Sequence, residues 1–204
     1  MIDTYYIGGS PCSGKSTIAE ILSKRYDLYY FKVDDFLEQY TQRGALSGYE
    51  ICKKQKEMNA EQIWMREPLL QCREEIIFYN EIFDYIVEHL EQIRSKSGII
   101  TEGAAYLPEL MKKLNIPYNR YISITPTEEF QVIHYRKREW VPYVLQECSD
   151  KEKAFCNWMD RDVLFAKEVQ RQCKEQQYMS IVNNGEMDID ELVIKVTQHF
   201  GLGA

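Results

Sequence analysis

The sequence predicts an α/β domain: a three-layer sandwich in which a mainly parallel, five-stranded sheet is covered by helices on both faces and carries a helical lid. Three observations lead there. Apolar, β-rich runs alternate with helix-like stretches; a glycine-containing loop separates the first run from the first helix; and acidic residues stand where the second and third runs end. Alternation of this kind joins parallel strands through crossover helices and gathers ligands at the carboxyl ends of the strands.

The first run, Thr4–Gly8, is aromatic and β-branched, as a buried strand is. It leads into Gly9-Ser10-Pro11-Cys12-Ser13-Gly14-Lys15-Ser16-Thr17, which fits G-x-x-x-x-G-K-[ST], and Ile18, Ile21 and Leu22 then recur at helical spacing. Small residues let successive backbone N–H groups point inward, and the helix opening near Gly14 adds unpaired N–H groups and a positive dipole end. A nucleotide triphosphate such as ATP fits this cradle, with Lys15 along its β and γ phosphates and the Ser16 hydroxyl on Mg²⁺. At Cys12, the helix dipole and Lys15 would lower the thiol pKa and make it redox-sensitive; the plainer reading is a small, neutral loop filler.

The second run, Leu28–Val33, ends in Asp34 and Asp35, so at least one carboxylate projects over the edge that carries the loop. Phosphoryl transfer to a hydroxyl profits from a carboxylate that orients the nucleophile and accepts its proton, and Asp34 is the preferred base. Asp35 either contacts the acceptor or, as the pair together would, caps the following helix from Phe36 to Tyr40. Arg43–Asn59 is polar and resists assignment to the core; residues 43–67 are expected to hold substrate loops. Pro68–Arg94 places Leu69, Cys72, Ile76, Tyr79, Phe83, Ile86, Leu90 and Ile93 at spacings of three and four, a long amphipathic helix made for core packing.

The third run, Gly98–Glu102, ends in Glu102-Gly103, where an acid would reach Mg²⁺ directly or through water. Trp64 and Arg66, with Tyr106 just past that strand, are candidates for gripping an acceptor by stacking and charge, although a core or surface aromatic accounts for either ring. After the fourth run, Tyr121–Ile124, Thr125-Pro126-Thr127-Glu128 reads as a helix start capped by Thr125 with Pro126 at its first position. Arg136, Lys137 and Arg138 follow that helix, Pro142–Met159 resists assignment, and Arg161 opens another helical stretch through Phe165 and Val169. Residues 136–161 are therefore the expected lid, whose arginines either close over ATP or form a solvated basic face. After the fifth run, Tyr178–Val182, Asn183-Asn184-Gly185 reads as a β-to-α turn, since Asn and Gly tolerate positive φ. Asp188 and Glu191 start a final helix whose Ile189, Leu192, Val193, Val196 and Phe200 form one face.

The 204 residues suit a single domain, and 45% hydrophobic with 28% charged residues is a globular composition with no apolar run of membrane-spanning length. The opening residues do not read as a secretory signal, and the expected location is the cytoplasm. A net charge of −7 argues against a sequence-independent hold on nucleic acid. Six cysteines without a C-x-x-C pair, and three scattered histidines, indicate neither a zinc site nor a disulfide framework.

The loop, strand-end Asp34, the Glu102-Gly103 pair and the Arg161-Asp162 pair together resemble the P-loop small-molecule kinases of the uridine kinase and chloramphenicol phosphotransferase sort. The resemblance implies the sheet order 2-3-1-4-5, Asp34 as base, Glu102 serving the metal, Arg161 in a lid over the phosphates, and the turn at Asn183 and Gly185 along the adenine ring. The expected activity is ATP-dependent phosphorylation of a small hydroxyl compound. A nucleoside monophosphate kinase would instead need clustered arginines around its acceptor, and a nucleotide-hydrolysing switch would show N-K-x-D or D-x-x-G elements that this chain lacks. The identity of the acceptor and the oligomeric state are not written in these residues.

Overall fold

The computed structural model describes residues 3–203. β1 (Thr4–Gly9) leads into α1 (Lys15–Tyr26), and β2 (Tyr29–Lys32) ends in a 3-10 turn (Val33–Phe36). Then come α2 (Leu37–Leu46), α3 (Glu50–Glu57), α4 (Ala60–Trp64) and α5 (Pro68–Gln92) before β3 (Ile99–Glu102). α6 (Pro108–Lys113) precedes β4 (Tyr121–Pro126), and α7 (Glu128–Arg136), α8 (Val141–Val144) and α9 (Lys151–Gln176) precede β5 (Met179–Asn183) and α10 (Ile189–Phe200).

The strands form one sheet in the order β2-β3-β1-β4-β5, parallel at every pairing, which is the expected fold. Alternation along β1 explains the layers: Tyr5 and Ile7 pack with Ile18, Leu22, Val193 and Phe200 of α1 and α10, whereas Tyr6 turns to the opposite core of α5, α6 and α9. Register brings the strand ends level, with Ile7 and Lys32 both opposite Glu102, Gly9 opposite Ile124, and Pro126 opposite Asn183. The loop after β1, Asp34 after β2, Glu102 on β3 and Asn183 on β5 therefore share one edge. At Gly9 the φ of 120° and the Ile124 carbonyl oxygen, 1.9 Å from where a Cβ would lie, admit no side chain.

Residues 43–67, expected as substrate loops, are largely helical. Their order comes from α5, whose polar face is a docking surface: Glu81 accepts from the amides of Ile51 and Cys52 at 3.1 and 2.9 Å, and Glu88 pairs with Arg43 at 2.7 Å. These carboxylates thus cap α3 and anchor α2. The expected cap at Thr125 is also displaced. β4 extends to Pro126, the Thr127 amide donates to the Asn183 carbonyl at 2.9 Å, and Thr127 caps α7. Thr125 instead accepts from Gln170 at 2.8 Å.

The unassigned Pro142–Met159 stretch contributes to α8 and to the start of α9, capped by Asp150. A third apolar cluster, with Tyr135, Val141, Leu145, Phe155 and Trp158, holds these elements together, and Cys12 of the loop packs against it. The region expected as a lid thus has a core of its own and touches the loop after β1. Among the described residues no helix is long and apolar enough to cross a membrane.

Candidate active site

The loop turns through left-handed backbone at Cys12 (φ 63°) and Gly14 (φ 94°) before α1 begins. α5, α7, α9 and α10 each carry a side-chain cap, whereas the first turn of α1 has neither a cap nor an acidic residue. Its N–H groups remain available to an anion. Lys15 is buried and folds back over the loop, donating to the Ser10 carbonyl at 2.7 Å and reaching the Ser13 hydroxyl at 3.4 Å. Burial pulls its ammonium below the usual value, opposed by Glu102, Asp34, Cys12 and Asp162. Ser10 is fully buried with its hydroxyl unpartnered, Pro11 is half-buried, and Thr17 faces outward from α1.

Asn183 acts as a strap. Its side-chain amide donates to the Ser13 carbonyl at 3.1 Å while its Oδ1 accepts from the Gly185 amide at 3.0 Å, so β5 holds the shape of the loop. Gly185 (φ 84°) lies against Phe130 of α7, where a Cβ would come within 2.9 Å of the ring.

Glu102, 1% exposed, accepts from the Ser16 hydroxyl at 2.9 Å and from the Tyr30 hydroxyl at 3.1 Å, both at Oε1. Burial and the adjacent carboxylate push the Tyr30 phenol upward, which keeps it a donor. A serine hydroxyl and a buried carboxylate are a hard-oxygen pair that suits Mg²⁺ when phosphate oxygens and water complete its shell.

Asp34 and Asp35 are both exposed, and the helix that follows them has no side-chain cap, so neither residue serves that purpose. They diverge in their neighbours. Asp35 faces Lys32 at 3.9 Å, while the charge of Asp34 acts on Lys15 and Tyr79.

The three arginines of residues 136–161 separate in the same way. Arg136 is exposed, paired with Glu152, and stacked 4.3 Å over Phe155. Arg138 makes no ion pair among the described residues; it lies 4.7 Å over the Tyr135 ring and beside the Cys12 thiol. Arg161 lies inside α9 rather than at a helix start, with its Nη1 2.6 Å from Glu75, its Nε 2.6 Å from Asp162, and its guanidinium 5.2 Å over Trp64. Burial pushes the Asp162 carboxyl up to about 7, against the pull of Arg161. For Cys12, burial outweighs Arg138 and Lys15 and raises the thiol, in keeping with the plainer reading of a neutral loop filler.

The three acceptor candidates are occupied elsewhere. Trp64 stacks on Trp158 at 4.3 Å, Arg66 is paired with Glu74, and Tyr106 is a core residue, 1% exposed, whose hydroxyl meets Thr101 at 2.6 Å. Sequence reasoning missed Tyr30, Glu75, Tyr79 and Tyr135, which carry no motif. Only the i, i+4 spacing of Glu75 and Tyr79 on α5 marks two of them as neighbours.

No family model matches the chain, and no curated protein matches it. Among solved structures it is similar to a putative kinase from Chloroflexus aurantiacus J-10-fl, at 13% identity and a TM-score of 0.48, over 97% of this chain and 98% of that one. A likeness of that degree carries no argument about activity.

Proposed function

We propose that this protein is a phosphotransferase that uses Mg·ATP to phosphorylate a hydroxyl of a small molecule. The observation that carries the reading is the gathering of Lys15, Ser16, Glu102 and Asp34 at the ends of three adjacent strands, around a helix whose N-terminus is left uncapped. The residues suit a triphosphate on the loop, and Ser16 with Glu102 would hold the metal. When bound, Mg²⁺ neutralises the charge that builds on the transferring group.

The acceptor hydroxyl attacks Pγ as its proton passes to the Asp34 carboxylate. The new O–Pγ bond forms while the bond from Pγ to the β–γ bridging oxygen breaks, and ADP departs with the electron pair. Lys15 balances the phosphate charge, and burial removes competing water from its ammonium. Arg138 is the arginine of residues 136–161 that makes no ion pair among the described residues, so it takes the place at the phosphates that the resemblance gave to Arg161. A nucleoside monophosphate acceptor is disfavoured, because Arg161, Arg66 and Arg136 are all engaged by carboxylates. Isothermal titration with Mg·ATP, coupled to a γ-phosphate transfer assay, tests the proposal: Lys15→Ala abolishes transfer, and wild-type protein that fails to bind Mg·ATP refutes the reading.

A further inference from the structure

The two edges of the sheet differ in how they are guarded. β2 ends in Lys32, which faces Asp35 of the turn after it, and charges of this kind keep an edge from pairing with another chain. β5, Met-Ser-Ile-Val-Asn, carries no charge and no proline and pairs residue for residue with β4. The Asn183 carbonyl accepts from the Thr127 amide just past β4, so Asn183 faces β4, and alternation along the strand turns the amides and carbonyls of Ser180 and Val182 the other way. β5 is the last strand on that side, so among the described residues no strand receives these groups. Val182, 44% exposed, stands beside them.

A groove of about 600 Å³ runs between this edge and α10, with Met179, Ile181 and Met187 on one side and Lys195 and Gln198 on the other. Glu191, one turn before Lys195, lies on the same stripe of the helix. The Lys195 ammonium makes no ion pair among the described residues and rests 3.0 Å from the Met187 sulfur, while Glu191 is exposed and gives one oxygen to the Asp188 amide. α10 runs antiparallel to β5. Its cap, Asp188, follows the carboxyl end of the strand, and His199 near its foot meets the Tyr121 carbonyl, one residue before the Ile122 that faces Met179. Glu191 and Lys195, about 6 Å apart along the helix axis, therefore lie to either side of the level of Ile181.

These features complement themselves. A second copy laid antiparallel, on a two-fold axis at Ile181 perpendicular to the sheet, sets Ser180 of each copy opposite Val182 of the other, and each facing pair exchanges backbone hydrogen bonds. Ile181 then meets Ile181 of the second copy, and the reversal brings Glu191 of each copy level with Lys195 of the other. A parallel neighbour would set lysine against lysine and glutamate against glutamate. We infer that the free edge of β5, with the flanking stripe of α10, is the interface through which two copies of this chain join into one continuous sheet. The two candidate active sites then lie at opposite ends of the joined sheet, since the strands that carry them run in opposite directions.

Sedimentation velocity over a dilution series that starts at tens of micromolar tests the pairing. Expected is a species of twice the chain mass at the upper end, dissociating on dilution. Lys195→Glu and Glu191→Lys should each raise the dissociation constant by about tenfold or more, and the double variant should return it to within about threefold of wild type. Val182→Lys, a charge on the edge itself, should leave a monomer. Ile181→Cys reads the register: under mild oxidation it should yield a cross-linked dimer beyond the level of wild type, because directly opposed residues on antiparallel strands bring their Cβ atoms close to disulfide reach. A wild-type monomer at the highest concentration overturns the inference, and so does a dimer that ignores both charge reversals or leaves Ile181→Cys uncross-linked. An extended peptide that docks on a monomer gives the groove a different occupant and overturns it too. Where Ile181→Cys fails to fold, the charge reversals, made at exposed positions, still decide.

Discussion

The Ser16 hydroxyl donates to Oε1 of Glu102 across 2.9 Å, joining the first turn of α1 to the end of β3. Tyr30 donates to the same oxygen from β2, so three elements of the sheet edge meet at one carboxylate. That convergence is the geometry expected of a metal-holding acid and its orienting partner. Glu102→Gln should raise the Mg²⁺ concentration needed for half-maximal turnover by about tenfold or more, and Tyr30→Phe by a smaller, several-fold factor. Mg²⁺ titrations at saturating ATP read both effects, and an unchanged requirement in Glu102→Gln removes the residue from the metal site.

Asp34 and Asp35 are adjacent but face different neighbours, and their substitutions should part accordingly. Asp34→Asn should lower kcat by about 10²-fold or more while the affinity for Mg·ATP stays within severalfold. Asp35→Asn should alter kcat by less than about threefold, because its contact with Lys32 is a surface pair. Equal losses in the two variants would mean that the carboxylates are not divided in this way.

A similar contrast is available between Arg138 and Arg136. Arg138→Ala should reduce kcat by about 10²–10³-fold, the scale on which charge stabilisation at a transferring group is lost. Arg136→Ala removes a solvent-exposed pair with Glu152 and should leave turnover within about threefold. Single-turnover measurements separate this from slow product release, and an inert Arg138→Ala would return the lid role to another residue.

The raised Asp162 carboxyl has a consequence for stability. Its folded value of about 7 lies above the ordinary one near 4, so between these limits the unfolded chain has released a proton that the folded chain retains. Stability therefore falls as pH rises through that window; below it both states hold the proton, and above it both have lost it. Asp162→Asn lacks this term, so its melting temperature relative to wild type should climb from pH 4 to pH 7 and then level off. A constant difference across the range would show that the carboxyl is charged throughout.

Much of this edge was legible in the sequence because each feature is local. The glycine-containing loop after β1 is contiguous, and Asp34 and Glu102 follow runs whose β character is plain, so topology alone makes them neighbours. The α7–α9 and α2–α4 regions were opaque for the opposite reason. Arg161 reads as a free cation until α5 supplies Glu75, and α3 reads as an uncapped polar stretch until Glu81 reaches it from the same helix. Tyr30 shows the limit most simply, since nothing near it in the chain says that its hydroxyl ends at Glu102. Long-range partners of polar side chains leave no periodicity to read.

Every pairing in the sheet joins strands that are distant along the chain: β1 must wait for β3, and β2 meets β3 only after α2–α5 have been spanned. Closing such excursions costs entropy before any ladder bond rewards it, which makes contact order high and refolding slow. Helix content should thus return early in a refolding experiment. Capacity to capture a fluorescent nucleotide should lag behind it, appearing only when the central strands have docked.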